Sequence, residues 1–296
     1  MANGILVIDK PSGWTSMDVC AKLRGILHVK RIGHAGTLDP MATGVLPVFV
    51  GRGTRAVEFA SESEKEYVAG LKLGVITNTQ DTSGEVLEER PVEVTRDQVE
   101  AVLEQFRGPI EQIPPMYSAI KINGKKLYEL ARKGREVERK PRSITIHALT
   151  LEEQTGPADY VLRVRCSKGT YVRTLCHDIG AALGCGGCMS SLRRTMAAGF
   201  TLDQSVTLEQ VQQAENAESL LLPVDAYFSH LAPLTLPEEE ERKVRNGMTL
   251  VRPDLEPGQY RVYGGDGAFL AVSLAEDGKL STVKSFFEPP EQLPKK

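Results

Sequence analysis

Apolar residues recur along this chain with two different periods, and the period switches from one segment to the next. Ile5-Leu6-Val7-Ile8 is a short continuous apolar run that reads as a strand. After Ser16, a candidate helix cap, Val19, Leu23 and Ile26 fall on one helical face. Tyr67 to Leu73 reads as a strand that stops at Gly74. Thr95-Arg96-Asp97-Gln98 fits a capping box, and Val99, Val102, Leu103 and Phe106 follow at helical spacing until Gly108-Pro109 ends the helix. Leu162, Val164 and Cys166 alternate with Arg163 and Arg165, the mark of a half-buried strand. Thr170 to Leu183 predicts a helix ended by Gly184, and Thr207-Leu208-Glu209-Gln210 opens another. The chain has no internal repeat and no low-complexity tract.

A boundary is expected near Ala232-Pro233, dividing 1–232 from 233–296. Beyond it the pattern becomes short strands, Tyr260 to Tyr263, Ala268 to Leu274 and Leu280 to Phe287. Gly264-Gly265-Asp266-Gly267 and Asp277-Gly278 supply the turns between them. At 296 residues the chain accommodates one large domain and one small one.

The net charge of -3 does not mark a nucleic-acid binder, but its distribution does more. Between Lys121 and Arg142 nine basic residues face only three acidic ones, while acid gathers at Glu238-Glu239-Glu240-Glu241. Such a basic segment either holds phosphates by counterion release or is a solvated surface stretch. Five cysteines, an odd count, suit a reducing compartment better than a disulfide framework. Cys185-Gly186-Gly187-Cys188 has the C-x-x-C spacing, but Cys166 and Cys176 do not form a second such pair, so reduced, partly buried thiols are expected and no metal. No apolar run is long enough to span a membrane. Met1-Ala2-Asn3-Gly4 leads straight into the first strand without a signal-peptide layout, so a cytoplasmic protein is expected.

The chemistry concentrates at Gly33-His34-Ala35-Gly36-Thr37-Leu38-Asp39-Pro40-Met41-Ala42-Thr43-Gly44-Val45-Leu46. One carboxylate, Asp39, sits among three glycines and precedes a proline that biases it toward an extended conformation. On this local pattern Asp39 is either a turn residue or a carboxylate displayed for chemistry.

This segment closely resembles the catalytic motif of the TruB family, the bacterial tRNA pseudouridine-55 synthases, and further blocks match in order across nearly the whole chain. The resemblance implies an α+β fold with a mixed, largely antiparallel sheet flanked by helices, and a small β-rich, PUA-like C-terminal domain. It implies isomerisation of uridine-55 in the T-loop of tRNA, with Asp39 as the catalytic residue. The reaction breaks the C1′–N1 bond, turns the base and joins C1′ to C5, so neither metal nor cofactor is required. A carboxylate suffices, as nucleophile or as base at the ribose. Asp39 has to be ionised, which asks for a cation nearby. Arg173 in Cys166-Ser167-Lys168-Gly169-Thr170-Tyr171-Val172-Arg173-Thr174, a block similar to the family's second signature, is the candidate.

By the same resemblance Tyr67 stacks on the flipped uracil, Tyr171 and Leu192 line the pocket, and His34 helps to extrude the base. Lys10, in Lys10-Pro11-Ser12-Gly13-Trp14-Thr15-Ser16, supports the active-site loop. Asp81 matches a substrate-side aspartate, with a turn role in Thr79-Gln80-Asp81-Thr82-Ser83-Gly84 as the close second reading. Pro114-Pro115-Met116-Tyr117-Ser118-Ala119 opens a stretch, about 114–142, that resembles the insertion clamping the RNA loop. There Lys121, Lys125, Lys126, Tyr128 and Arg132, together with Arg193 elsewhere, are expected to contact RNA by charge and stacking, in a segment mobile until RNA binds. The chain departs from the family in having Gly186-Gly187-Cys188 where Gly-Ala-His or Gly-Ala-Tyr is usual. The expected partner is the tRNA T-stem-loop, with no membrane and no obligatory protein partner, and the protein is expected to be a monomer. Two alternatives stay open, an RNA-folding protein and a guide-RNA-dependent synthase of the dyskerin type. A glycosidase is disfavoured because it needs a second paired carboxylate, and the motif holds only one.

Overall fold

Whether one or both faces of a strand are covered explains most of the sequence pattern. The computed structural model describes residues 2–122 and 124–288. Strand β1 (Gly4–Lys10) is followed by helix α1 (Ser16–Leu27), β2 (Ile32–His34), β3 (Thr43–Val50), the short α2 (Val57–Ser61) and β4 (Lys65–Leu73). A small hairpin, β5 (Val75–Thr77) with β6 (Val86–Glu89), precedes α3 (Arg96–Leu103) and β7 (Gly108–Gln112). Next come a second hairpin, β8 (Lys121–Ile122) with β9 (Lys125–Lys126), and α4 (Leu127–Ala131). Long strands β10 (Arg142–Gln154) and β11 (Asp159–Cys166) then lead through α5 (Val172–Ala182) to β12 (Gly187–Ala197) and β13 (Phe200–Thr201). The chain finishes with α6 (Leu208–Gln213), β14 (Ala232–Thr235), α7 (Glu238–Arg245), β15 (Leu250–Val251), β16 (Gly258–Tyr263), β17 (Phe269–Glu276) and β18 (Lys279–Ser285).

The main sheet runs β1-β3-β12-β4-β11-β10-β7, with β2 added to β3 and β13 to β12. Its pairs are antiparallel except β3 with β12, which meet in parallel at Thr43–Arg193 and Gly44–Arg194. At the β1/β3 end both faces are covered. Leu6, Ile8, Leu46, Val48 and Val50 pack against α1 and α6, and Ile5, Val7, Val45 and Phe49 pack on the opposite side, so the run Ile5–Ile8 is apolar throughout. At the β4/β11 end only one face is covered. Tyr67, Ala69, Leu71, Leu162 and Val164 join α3 and α5 in the core, while Glu66, Arg163 and Arg165 point outward, which is the alternation seen in the sequence.

Thr15, and not Ser16, caps α1: its side chain accepts from the Asp18 N–H and Asp18 returns the bond, a reciprocal box. Ser16 is one residue inside, and its buried hydroxyl turns away to bond the backbone of Leu38. The boxes at Thr95–Gln98 and Thr207–Gln210 form as the spacing predicts. Gly108-Pro109 both ends the helical segment and begins β7. The four glutamates from Glu238 fill the first turn of α7, where negative charge suits the helix dipole, and Glu239 and Glu241 pair with Lys243 and Arg245 one turn on.

A five-stranded sheet, β14-β16-β17-β18-β15, forms from residue 232 onward. Asp277 and Gly278 both take positive φ, the geometry of a tight two-residue hairpin turn. This sheet has its own small core around Leu236, Val262 and Leu280. It is also tied to the larger sheet by an aromatic cluster in which Phe228 meets Phe269 and Phe286 at 5.9 and 5.6 Å.

Helix α5 lies unusually close to β12 at one point. The Gly180 carbonyl accepts from the Gly186 N–H at 2.9 Å, and a Cβ on Gly180 would stand 2.3 Å from the Gly187 nitrogen. Alanine at 180 would gain about 1 kcal/mol of helix propensity. The clash is with backbone, which cannot swing aside, so Gly180→Ala is expected to lower stability by about 1–3 kcal/mol net in urea denaturation. An unchanged denaturation midpoint would contradict this packing.

Candidate active site

The loop between β2 and β3 is held from below by Lys10, as the resemblance implies, and by Arg194, which no local pattern announces. Gly36 takes φ +84° and Gly44 φ +101°, and a Cβ at Gly44 would lie 2.2 Å from the Arg194 carbonyl oxygen, so only glycine allows β3 to start against β12. Arg194 is fully buried and donates to the carbonyls of Val45 (2.7 Å) and Gly36 (3.1 Å), spanning both ends of the loop. Buried Lys10 donates to the carbonyls of Trp14 (2.7 Å), Pro11 (2.9 Å) and Pro40 (3.3 Å), and the Gly13 N–H also reaches Pro40. With Ser16 bonded to Leu38, the Lys10–Ser16 stretch cradles residues 38–41. Burial depresses Lys10 to about 8, against the pull of Asp39.

Asp39 projects from this cradle with 36% of its side chain exposed, enough to meet a substrate. Its Oδ2 receives Arg173 Nη2 at 2.8 Å, and Arg173 is itself 7% exposed at the start of α5. Arg173 Nη1 lies 3.7 Å from Asp81 Oδ2, so one guanidinium stands between two carboxylates. Burial raises the Asp39 carboxyl above the ordinary aspartate range, Arg173 opposes that, and Asp81 adds to it. Asp81 is buried beneath the site. Its Oδ1 accepts from Thr79 Oγ1 (2.8 Å), Ser83 N (3.0 Å) and Ser83 Oγ (2.5 Å), so it shapes its own turn and faces Arg173 rather than standing on the surface.

Tyr67 is buried on β4, opposite Arg194 on β12, and burial raises its phenol, against the pull of Arg194. His34 ends β2. Burial lowers it, and Arg194 lowers it further, which favours neutral imidazole. Leu192, half-buried on β12, packs against the same core as Tyr67. Tyr171 caps α5 one residue before Val172-Arg173, and burial raises its phenol. The structure therefore gathers Asp39, Arg173, Lys10, Tyr67, His34, Tyr171, Leu192 and Asp81 around one loop.

Of the expected RNA-contacting residues, Lys121, Lys125, Lys126, Tyr128 and Arg132 lie on the segment after β7, whereas Asp81 and Arg193 lie at the site itself. Lys121, Lys125 and Arg132 are exposed in the hairpin–helix segment after β7, and Lys126 and Arg132 lie 5.3 and 5.4 Å from the centre of the Tyr128 ring. Arg193 is partly exposed beside the N-terminal stretch, paired with Asp9 at 2.8 Å.

Three contributors were not singled out in the sequence: Arg194, Lys65 and Gln112. Arg194 stands beside Arg193 in a strand, and only burial tells the two apart. Lys65 is buried under Gly36, donates to the carbonyls of Ser63 (2.6 Å) and Ser61 (3.0 Å), and is depressed to about 8 by burial. Gln112 is buried at the end of β7. The available signal for the first two is a cation two positions along the strand from a motif residue, Lys65 before Tyr67 and Arg194 after Leu192, which puts it on the same face of the strand.

All five cysteines are free and buried, and burial pushes the Cys20, Cys166 and Cys188 thiols up to about 11. Cys188, at the position where the family pattern usually has an aromatic or histidine, points into the interior, so that departure removes no surface contact here. Among the described residues no three His, Cys, Asp or Glu side chains gather in a metal-binding arrangement, and no helix is long and apolar enough to cross a membrane.

Two family models match the chain in succession. The TruB family pseudouridylate synthase N-terminal domain covers residues 24–172, and the tRNA pseudouridylate synthase B C-terminal domain covers residues 173–229. The tRNA pseudouridine synthase B of an Azoarcus species is 45% identical over 282 residues, 95% of this chain and 93% of that one. Its counterpart from Alkaliphilus oremlandii is 48% identical over 245 residues, 83% and 82% of the two chains. A chain in the crystal structure of a Cbf5-Nop10-Gar1 complex superposes with a TM-score of 0.73 at 27% identity, covering 96% of this chain and 85% of that one. With matches of this length, and with the shared mixed sheet, this chain belongs to the TruB family of pseudouridine synthases, which are isomerases.

Proposed function

We propose that this protein converts uridine-55 in the T-loop of tRNA to pseudouridine, with Asp39 acting on the ribose of a flipped-out nucleotide. The observation that carries the reading is the Asp39–Arg173 ion pair, a part-exposed carboxylate held 2.8 Å from a buried guanidinium in the motif loop. The relatives named tRNA pseudouridine synthase B support tRNA as substrate. In the reaction the C1′–N1 bond breaks, the uracil turns, C5 bonds to C1′, and the C5 hydrogen is replaced by one on N1. Atoms and electrons balance without any co-reactant. Arg173 keeps Asp39 ionised, Tyr67 offers a face to the base, and Tyr171 and Leu192 bound the pocket. His34, kept neutral, fills the place the base leaves, while Lys10 holds the loop.

Lys121, Lys125, Lys126, Tyr128 and Arg132, with Arg193 near the site, grip the RNA by phosphate contact and stacking. Asp81 serves by orienting Arg173. The catalytic domain spans 1–232 and the small C-terminal domain 233–296. The protein works as a monomer in the cytoplasm, without cofactor or obligatory protein partner.

Asp39→Asn is expected to abolish pseudouridine formation, a loss of roughly 10⁴-fold or more, while tRNA binding persists. Mapping pseudouridine by carbodiimide primer extension on an unmodified tRNA transcript checks both the residue and the position, and activity retained by the variant rejects this mechanism. Because Asp39 acts ionised and burial raises its carboxyl, the single-turnover rate should fall on acidification, with a midpoint above the ordinary aspartate value of about 3.9. A pH profile with its acidic limb at or below that value contradicts the assignment. Replacing Lys121, Lys125 and Arg132 together by Gln should weaken tRNA binding and flatten its dependence on log salt by about two units. Filter binding from 50 to 200 mM salt measures this, and an unchanged slope removes these residues from the interface.

A further inference from the structure

Residues 113–141 leave the main sheet and return to it at a single point. β7 ends at Gln112 and β10 begins at Arg142, and these two residues are partners across the sheet. The Gln112 side chain is 2% exposed, and its amide bonds reach away from the segment it introduces, to Tyr171. Its Oε1 accepts from the Tyr171 N–H at 2.8 Å and its Nε2 donates to the Tyr171 carbonyl at 3.1 Å, so one amide satisfies both backbone groups of that residue. Tyr171 is the N-cap of α5, lacks a side-chain cap of its own, and stands two residues before Arg173. Buried Ser118, from the segment itself, sits beside the Tyr171 phenol. The hairpin–helix segment thus touches the start of α5 at both its root and its interior, and α5 carries the guanidinium that meets Asp39.

We propose that Gln112 is a positioning residue that couples the RNA-gripping segment to the catalytic ion pair, by fixing Tyr171 and through it the first turn of α5. This rests on the reading of Asp39 as the catalytic carboxylate. A pair of hydrogen bonds to the two peptide groups that flank one residue fixes both the height and the rotation of the helix start, and a single bond would leave rotation free. Arg173 then meets Asp39 only when the root of the segment is in place, so a displacement of the segment by RNA is felt at the carboxylate. Sub-ångström errors in such positioning are costly to rate while leaving binding energy elsewhere intact.

Gln112→Met keeps the volume and removes both bonds, and Gln112→Asn keeps the amide but falls one methylene short. Each is compared with the parent and with Asp39→Asn in single-turnover pseudouridine formation across pH, in tRNA affinity and in thermal melting. The expected result is a rate lowered roughly ten-fold at neutral pH with tRNA affinity within about two-fold of the parent. The acidic limb should also move to higher pH, because a loosened Arg173 no longer opposes the burial that raises Asp39. An acidic limb that stays in place overturns the proposal, whether the rate is unchanged or falls only with a lowered melting temperature. Weakened affinity at an unchanged rate overturns it as well. If Gln112→Met does not fold, Gln112→Asn gives the same readouts. Activity surviving in Asp39→Asn would instead refute the underlying reading, whatever the Gln112 variants show.

Discussion

A carboxylate partly withdrawn from water and set against a buried guanidinium is the contact on which the rest of this molecule turns. Asp39 meets Arg173, and a second carboxylate, Asp81, lies on the other side of the same guanidinium. Removing either partner of a buried pair leaves an uncompensated charge, which costs far more than the pair itself contributes. The three groups come from three separate stretches of chain: a loop after β2, a turn after β5 and the first turn of α5. Their meeting constrains how the helix lies on the sheet and how the loop leaves it.

The fold answers those constraints with close backbone approaches at glycines and with long cationic side chains bonded to carbonyls. Gly180 lets α5 rest directly on the β12 backbone, and Gly44 lets β3 begin against Arg194. Arg194 and Lys65 are then cations shut beneath the loop with carbonyls as their main partners, and Lys10 does the same from the N-terminal side. Of these three cations Lys10 also acts on Asp39 itself, favouring its ionised form against the burial that raises it. The opposite face of the sheet is a different case. Glu62, Glu64 and Glu66 pair there with Lys168, Arg165 and Arg163, exposed pairs that contribute little stability individually but keep an uncovered sheet face soluble.

Much of the architecture was legible because local physics agrees with the final fold. The capping boxes at Thr95 and Thr207, the one-sided strand at Leu162–Cys166 and the hairpin turn at Asp277-Gly278 need only neighbours in sequence. Ser16 shows the limit. It is a competent cap by type, yet Thr15 takes that place, and the Ser16 hydroxyl is spent on Leu38, twenty-two residues away. Arg193 and Arg194 show it again, since adjacent residues on a strand face opposite sides and only the packing of β3 and β4 decides which side is interior.

The sequence by itself determined where the motif loop lies and, by resemblance, that Arg173 is the cation to look for beside Asp39, together with the alternation and capping that specify individual elements and the basic character of the segment after β7, because each depends on residue type and spacing. Only the tertiary structure decided how closely Arg173 approaches Asp39, that Asp81 lies buried behind Arg173 rather than on the surface, and that Gln112 grips Tyr171. Those are contacts between stretches tens of residues apart. Their geometry is set by strand register and by how near two backbones can approach, and neither is written in any local run of residues.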